Sequence, residues 1–311
     1  MKVMRFSDSA QSAALVEETI PQPQPRRGEL LVRVCSVGVT PTEVLWYPTT
    51  HQKNGETRSR AIPGHEFAGV IAAVGEDTAG FEIGHEVYGM NDWFSDGAMA
   101  EYCITQPNSV APKPRRLTHV EAASVPIGAL TAWQGLFDRA RLQRGEHVLV
   151  HGGAGAVGIF AIQLARLRGA HVTATVSARN LEFISTLGAE QVVDYGAMRF
   201  EETVSEIDIV FDTVGGETLE RSWSVLKPGG RMITIAANAE GTTNDRVKQA
   251  FFIVEPNRDQ LTQVGNLLEA GDIHPVVDAV LPLAQASSAY TGEVKQRLGR
   301  GKMVVSVARL T

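Results

Sequence analysis

Residues 147–158 read His147-Val148-Leu149-Val150-His151-Gly152-Gly153-Ala154-Gly155-Ala156-Val157-Gly158, and this stretch decides the fold. Val148–Val150 is a short apolar run suited to a buried parallel strand. Gly153, Gly155 and Gly158 then fall at G-x-G-x-x-G spacing, and 157–168 has the composition of a helix that stops at Gly169. The spacing has a mechanical basis. The first glycine permits a tight turn, the second lets the backbone approach a pyrophosphate, and the third lets the helix pack close to the strand. The helix start adds N–H donors and the positive end of a dipole for the phosphates. A glycine-rich turn alone is a weak sign; a strand before it and a helix after it read as a dinucleotide site. Gly153, Gly155, Ala156, Val157 and Gly158 are its expected phosphate-binding residues.

Downstream, the segments 171–176, 191–193, 207–212 and 232–236 read as strands. They alternate with helical stretches at 181–187, capped by Gly188, and 217–226, closed by Lys227-Pro228-Gly229-Gly230. Such alternation predicts an α/β, doubly wound fold with a parallel sheet covered on both faces. Phe251-Phe252-Ile253-Val254 reads as a sixth strand at the sheet edge. An exposed apolar edge is a pairing hazard unless something covers it, so a homodimer through this edge is expected. The competing reading is that the chain's own tail covers 251–254.

The same segment addresses the cofactor. An NAD site places Asp or Glu at the end of the second strand, where it accepts from the ribose 2′-hydroxyl. Here that stretch is Thr175-Val176-Ser177-Ala178-Arg179-Asn180, without an acid; the nearest, Glu182, falls in the next helix. Ser177 offers a hydroxyl and Arg179 a planar cation, the partners a 2′-phosphate wants. NADP(H) is therefore expected over NAD(H). Tyr195, after the third strand, is placed to close over the adenosine phosphate. The plainer alternative makes Arg179 a solvated residue at a helix start.

Composition bounds the rest. The chain has 311 residues and a net charge of −6, with no basic run. Two domains are expected at this length, and nucleic acid is a poor partner. Two cysteines, Cys35 and Cys103, cannot build a disulfide framework, which points to a reducing, cytoplasmic setting. Residues 1–6 read as a strand rather than a signal segment, and no apolar run reaches membrane-spanning length. Residues 1–118 follow another grammar: β-rich segments at 30–37, 67–74 and 102–105 separated by Pro and Gly turn clusters. This predicts a compact, mostly β unit. The polar region 43–62 reads as a flexible loop bordering a pocket. Short helices are expected at 120–124 and 128–137. A tail with one helix, 260–270 capped by Gly271, and strands near 276–280 and 303–307 should return to the first domain. The tripeptide Gly-His-Glu occurs twice, at 64–66 and 84–86.

Taken together, these residues resemble the medium-chain dehydrogenase/reductase superfamily, and within it the zinc-independent quinone oxidoreductase-like branch. The resemblance rests on Pro63-Gly64-His65-Glu66-Phe67-Ala68-Gly69-Val70 with Gly75, Gly84 through Gly89, and Ala129-Leu130-Thr131-Ala132-Trp133. It continues through the glycine loop, Leu187-Gly188-Ala189, Asp194-Tyr195, Lys227-Pro228-Gly229-Gly230 and Gly301-Lys302. It implies a GroES-like domain at 1–124 and 258–311, a Rossmann domain with a six-stranded sheet at 125–257, and a cofactor cleft between them. Zinc-dependent members hold their catalytic metal at positions that correspond here to Thr40, His65 and about Ile127. Only His65 is a metal-binding residue type, and a catalytic zinc needs three protein ligands. Residues 86–103 hold only Cys103, so the structural zinc lobe is absent as well. A different site from His65, Glu66 and His85 is the remaining metal option. No metal is therefore expected.

Without a Lewis acid, the resemblance implies hydride delivery to a quinone or an α,β-unsaturated carbonyl. Thr40 and Thr131 should lie near the nicotinamide, with Phe252 and Val254 among the cofactor contacts. Trp46 and Trp93 are expected pocket walls, and Tyr47 is the candidate proton donor to an enolate; Tyr47 as a loop aromatic pointing elsewhere is the competing reading. Lys302 reads either as a cleft residue or as a surface lysine. Two further functions stay open at this point: an NADPH-binding redox sensor or binding protein with little turnover, and a zinc-type alcohol dehydrogenase.

Overall fold

The computed structural model describes residues 1–7 and 14–307; residues 8–13 and 308–311 of the ranges above lie outside them. The chain divides into two units, Met1–Ile127 with Glu255–Gly271 and Pro275–Thr311, and Gly128–Val254 with Asp272–His274.

The first seven strands belong to the first unit. They are β1 (Lys2–Phe6), β2 (Leu15–Thr19), β3 (Leu30–Gly38), β4 (Glu66–Val74), β5 (Glu86–Met90), β6 (Tyr102–Thr105) and β7 (Val110–Pro112). β1, β3, β4 and β6 lie where strands are expected from the sequence. Not expected were β2, whose Val16-Glu17-Glu18 is polar, and β5 and β7, which are short and lie beside the turn clusters. Region 43–62 is less of a loop than expected. It contains a 3₁₀ turn, Pro41–Leu45, and a short helix, Tyr47–Thr50, and it buries Glu43 and Thr49.

The second unit is built on β8 (His147–His151), β9 (His171–Val176), β10 (Gln191–Asp194), β11 (Ile207–Asp212) and β12 (Leu226–Thr234). They form a parallel sheet in the order β10-β9-β8-β11-β12. β11 is buried along its whole length and β8 from Val148 to His151, as sheet cover on both faces requires. Leu149, Val193, Phe200, Val210 and Leu219 share one core cluster.

Two expectations are corrected in this unit. Among the described residues the sheet has five strands, not six: 251–254 contributes one parallel bridge, Thr234 to Phe251, and then leaves the sheet. Phe252 and Val254 are buried, with Arg139 lying over the Phe252 ring, while Phe251 and Ile253 are half-buried. The helix expected at 217–226 ends at Ser222, and Lys227-Pro228-Gly229-Gly230 lies inside β12. There the register against β11 jumps from Ile207↔Leu226 to Ile209↔Arg231. The Pro-Gly-Gly run, with Gly229 at φ 80°, forms a bulge in a strand rather than a helix stop.

The chain then returns to the first unit through the helix Arg258–Ala270, closed by left-handed Gly271, and through β13 (Val277–Pro282) and β14 (Lys302–Ser306). β14 inserts between β13 and β3, giving the order β13-β14-β3-β4-β5-β7 with β6 also on β3. Val3, Val37, Phe67, Ile71, Met99 and Val305 lie in the core below this sheet. Cys35 and Cys103 are free thiols. Among the described residues no helix is long and apolar enough to cross a membrane.

Candidate active site

In the second unit, the carboxyl end of β8 runs into the glycine loop. The left-handed turn is made by Gly152, at φ 71°, and not by Gly153 as the spacing suggested. A Cβ on Gly153 would press on Ala174 of β9 at 3.0 Å and on Ile162 at 3.2 Å, so this glycine serves strand–helix packing. A Cβ on Gly158 would overlap the Gly152 carbonyl oxygen, which is the tight approach expected of the third glycine. Gly155 is exposed, and a Cβ on it would sit 3.2 Å from the Gly152 carbonyl oxygen. The helix Gly158–Leu167 begins at Val157 without a side-chain cap. The Ile159 amide donates to the Gly155 carbonyl at 3.1 Å, and the amides of Ala156, Val157 and Gly158 just before it are left for a ligand or water, the usual anion-binding arrangement. The loop therefore fits a pyrophosphate.

Ser177 directly follows β9 and accepts from Asn180 Nδ2 at 3.3 Å; Arg179 is exposed. The Tyr195 amide donates to the Val176 carbonyl at 3.1 Å, which brings the exposed Tyr195 beside Ser177. The carboxylate at the end of β10, Asp194, is turned to its own loop and accepts from the Gly196 amide at 2.9 Å. Thr131 is buried, on the helix Pro126–Trp133. Under the loop, His151 has Thr175 Oγ1 3.0 Å from Nδ1 and Ser222 Oγ 2.9 Å from Nε2. Burial, with Arg221 adding to it, pushes this imidazole down to about 3. It is a neutral structural side chain at the end of β8.

The first unit holds a different kind of site, made of buried charges. Glu43, with no exposed surface, accepts from the Gly64 amide at 3.0 Å and from Tyr290 Oη, and its Oε2 lies 2.7 Å from His65 Nδ1. The other ring nitrogen of His65 meets the Ser95 carbonyl at 3.1 Å. Burial first, and then the Glu43 charge, hold the Tyr290 hydroxyl well above the usual phenol range. Trp93 packs on the His65 ring at 4.9 Å, and Trp46 meets Trp93 edge-on at 4.4 Å. The two expected wall residues are therefore together, beside His65. Tyr47 is exposed and stacks flat on His51 at 4.3 Å, with its hydroxyl on the Gly55 side.

The second buried pair crosses three strands. Gly38↔Glu66 is a register pair of β3 and β4, and Val304↔Gly38 pairs β14 with β3. The same register carried two residues further sets Lys302 opposite Thr40. A Cβ on Gly38 would fall 2.5 Å from Glu66 Cγ and 2.5 Å from the Ala123 carbonyl oxygen. This glycine leaves the space through which Glu66 reaches across β3. Glu66 forms an ion pair with Lys302, and its Oε2 accepts from the Ile127 amide at 2.9 Å. Lys302 Nζ donates to Thr40 Oγ1 at 3.2 Å. Burial drives the Glu66 carboxyl up, and Lys302 and the Ile127 amide pull it part of the way back. Lys302 is only 5% exposed, so its reading as a surface lysine is corrected. Sequence reasoning missed Glu43 and Tyr290 altogether.

These contacts test the zinc that the fold family implies. Thr40 is engaged by an ammonium, both ring nitrogens of His65 are engaged by acceptors, and Ile127 offers only its backbone. His85 is away from His65, half-exposed beside Glu82. Among the described residues no group of three His, Cys, Asp or Glu side chains is disposed to hold a metal ion. The residues present do not fit a catalytic zinc.

Comparison with known proteins identifies the family. Residues 26–115 match the alcohol dehydrogenase GroES-like domain family, and 187–305 match the zinc-binding dehydrogenase family. A probable zinc-binding mitochondrial oxidoreductase of Arthroderma benhamiae is 33% identical over 317 residues, covering 95% of this chain and 94% of the relative. The chain belongs to the medium-chain dehydrogenase/reductase superfamily. It is an oxidoreductase of that superfamily, with a GroES-like and a Rossmann-type unit. Among superfamily members, the 2-methylene-furan-3-one reductase of Solanum lycopersicum is 31% identical, over 91% of this chain and 73% of its own. The structure of the quinone oxidoreductase from Coxiella burnetii superposes with a TM-score of 0.86 at 29% identity, over 99% of each chain.

Proposed function

We propose that the protein is a zinc-independent, NADPH-dependent reductase that delivers hydride to a quinone or to the β-carbon of an α,β-unsaturated carbonyl. The observation that carries the reading is the set of residues at the positions of the family's metal: Lys302 on Thr40, and His65 held between Glu43 and Ser95. Such a site lacks a Lewis acid for alcohol oxidation, while quinones and enones accept hydride without one. The names of the tomato and Coxiella relatives point to the same acceptors.

A bound nicotinamide cofactor supplies the hydride. Gly153, Gly155, Ala156, Val157 and Gly158 are proposed to hold its pyrophosphate, and Ser177, Arg179 and Tyr195 the 2′-phosphate end. Thr40, Thr131, Phe252 and Val254 are proposed to lie toward the nicotinamide. Trp46 and Trp93 wall the acceptor, and Tyr47, whose exposed hydroxyl exchanges freely with water, protonates the enolate. Support for NADPH over NADH comes from the stretch 175–180, which holds Ser177 and Arg179 and no carboxylate. Two free thiols accord with a reducing compartment, and the cytoplasm is the proposed location.

The test is NADPH oxidation against a panel of quinones, enals and enones, followed at the nicotinamide absorbance. Turnover with none of them overturns the reading. Arg179→Ala should weaken NADPH about tenfold more than NADH, the usual scale of one charge-assisted phosphate bond. Equal weakening of both overturns the cofactor assignment. A homodimer is also proposed, formed through the half-buried Phe251 and Ile253 at the end of β12. Sedimentation at micromolar concentration checks it, and a monomer there removes it.

A further inference from the structure

The contact of Lys302 with Thr40 determines where the threonine hydroxyl hydrogen goes. An ammonium has three donors and no acceptor, so Thr40 Oγ1 can only accept from it. The hydrogen on Thr40 is thereby directed away from the Nζ–Oγ1 line. It is not used locally. Thr40 is the N-cap of Pro41–Leu45, yet its side chain makes no capping bond, and Pro41 offers no amide. Among the described residues its hydroxyl has no other hydrogen-bond partner than Lys302. Burial grades along the same line: Glu66 is fully buried, Lys302 nearly so, and Thr40 half-exposed. The charge is held inside, and only a hydroxyl is presented outward.

We infer that Thr40 is the oxyanion donor of the reductase and that Lys302, anchored by Glu66 through the gap at Gly38, is the residue that positions it. The inference rests on the reductase reading above. When hydride adds to the β-carbon of an enone, the C=C electron pair moves toward the carbonyl and charge collects on its oxygen. Thr40 O–H donates a hydrogen bond to that oxygen and keeps its proton. The enolate then takes a proton at the α-carbon, and the sum is enone plus reduced nicotinamide plus one proton giving saturated carbonyl plus oxidised nicotinamide. With a quinone, the same hydrogen bond receives the hydroquinone anion, which is protonated from solvent. A preorganised donor in a water-poor site is worth most where charge develops, and Lys302 keeps the rotor from turning away. The buried ion pair places a full positive charge one hydroxyl behind the oxyanion without exposing that charge to water.

The test uses the full-length protein saturated with NADP⁺ and a stable oxyanion, 4-nitrophenolate, against its neutral analogue nitrobenzene. In the native protein the phenolate should bind more tightly than nitrobenzene. Thr40→Val, which keeps the shape, should lower that preference about tenfold and kcat with NADPH about a hundredfold, and Thr40→Ser should restore both to within about threefold. Removing both charges together, Lys302→Met with Glu66→Gln, should lower the preference about fivefold and reduce kcat with KM changed less than twofold, because the hydroxyl is then free to turn. An unchanged phenolate preference in Thr40→Val overturns the inference, as does a Thr40→Ser variant as impaired as Thr40→Val. The phenolate arm needs no turnover. A wild type that oxidises NADPH with no acceptor therefore defeats the reductase reading alone, and the binding result judges Thr40 separately. If the double variant does not fold, the two Thr40 variants still decide.

Discussion

The glycine loop after β8 and the charge cluster at the ends of β3, β4 and β14 are built on opposite principles. In the loop, Gly158 closes on backbone and Gly153 on the side chains of neighbouring elements, and the chemistry offered to a ligand is N–H groups at a helix start. In the cluster, side chains from five separate segments meet, and the chemistry is a pair of buried carboxylates with the groups that neutralise or hydrogen-bond them. The first kind of site tolerates almost no added volume at its glycines, whose neighbours are backbone or packed side chains such as Ala174 and Ile162. The second fails when one charge loses its partner, since an uncompensated buried ion is costly.

The comparison can be broken by substitution, starting with the largest effect. Gly158→Val should destabilise the second unit by about 3 kcal/mol or more and abolish cofactor binding, because the added carbon overlaps a backbone carbonyl that cannot swing away. Chemical denaturation and cofactor titration check this. Gly38→Ala should cost about 2–3 kcal/mol, somewhat less, because one of its two close contacts is the flexible Glu66 side chain. It should also displace Glu66 from Lys302, visible as a lost ion pair in a crystal structure of the variant. A cost at Gly38 well above that at Gly158 would reverse the contrast drawn here.

His151→Gln sharpens it through pH. The folded imidazole is held at about 3, below an unfolded value near 6.5, so the folded state binds fewer protons. Its contribution is complete above the unfolded value and is lost as pH falls from about 6.5 toward about 3. The variant should lose about 1–2 kcal/mol at pH 7, from its two hydrogen bonds, and this deficit should vanish or reverse at pH 4.5, where protonation of the unfolded imidazole costs the native protein about 2–3 kcal/mol. Urea denaturation at both values checks it; a loss that grows on acidification would contradict a neutral His151. The smallest effect belongs to Tyr47→Phe. Stability should stay within about 0.5 kcal/mol because the stack on His51 survives, while kcat for an enone falls about tenfold or more if this hydroxyl supplies the proton. An unchanged kcat assigns the proton to solvent.

How much of this was legible in the sequence follows from the same division. A backbone-built site writes its constraint on adjacent residues, so glycine spacing exposed the loop and strand periodicity exposed β8 through β11. Even there, the turn moved to Gly152 and the sixth strand shrank to a single bridge, because the packing of 251–254 is a tertiary matter. The two Gly-His-Glu copies show the limit. His65 and Glu66 are buried and each has a charged partner; His85 and Glu86 lie at the surface. Nothing within the tripeptide separates them. The difference lies in Glu43, Tyr290 and Lys302, which are far off in sequence, and in the missing Cβ of Gly38. Glu43 fell in a polar stretch that read as a loop, since a buried acid and a solvated one look alike until the fold supplies a partner.

The insertion of β14 between β13 and β3 has a consequence for the order of events in the cell. Thr40 and Lys302 are 262 residues apart, and the strand that carries Lys302 is flanked on both sides in its sheet although late in the chain. On the ribosome, the early strands and the whole nucleotide-binding unit are made first, with Glu66 still lacking its counter-charge and a slot open beside β3. Contacts of such long range are slow to close. Synthesis thus places the segments of the second unit before the residue that completes the Glu66–Lys302–Thr40 line.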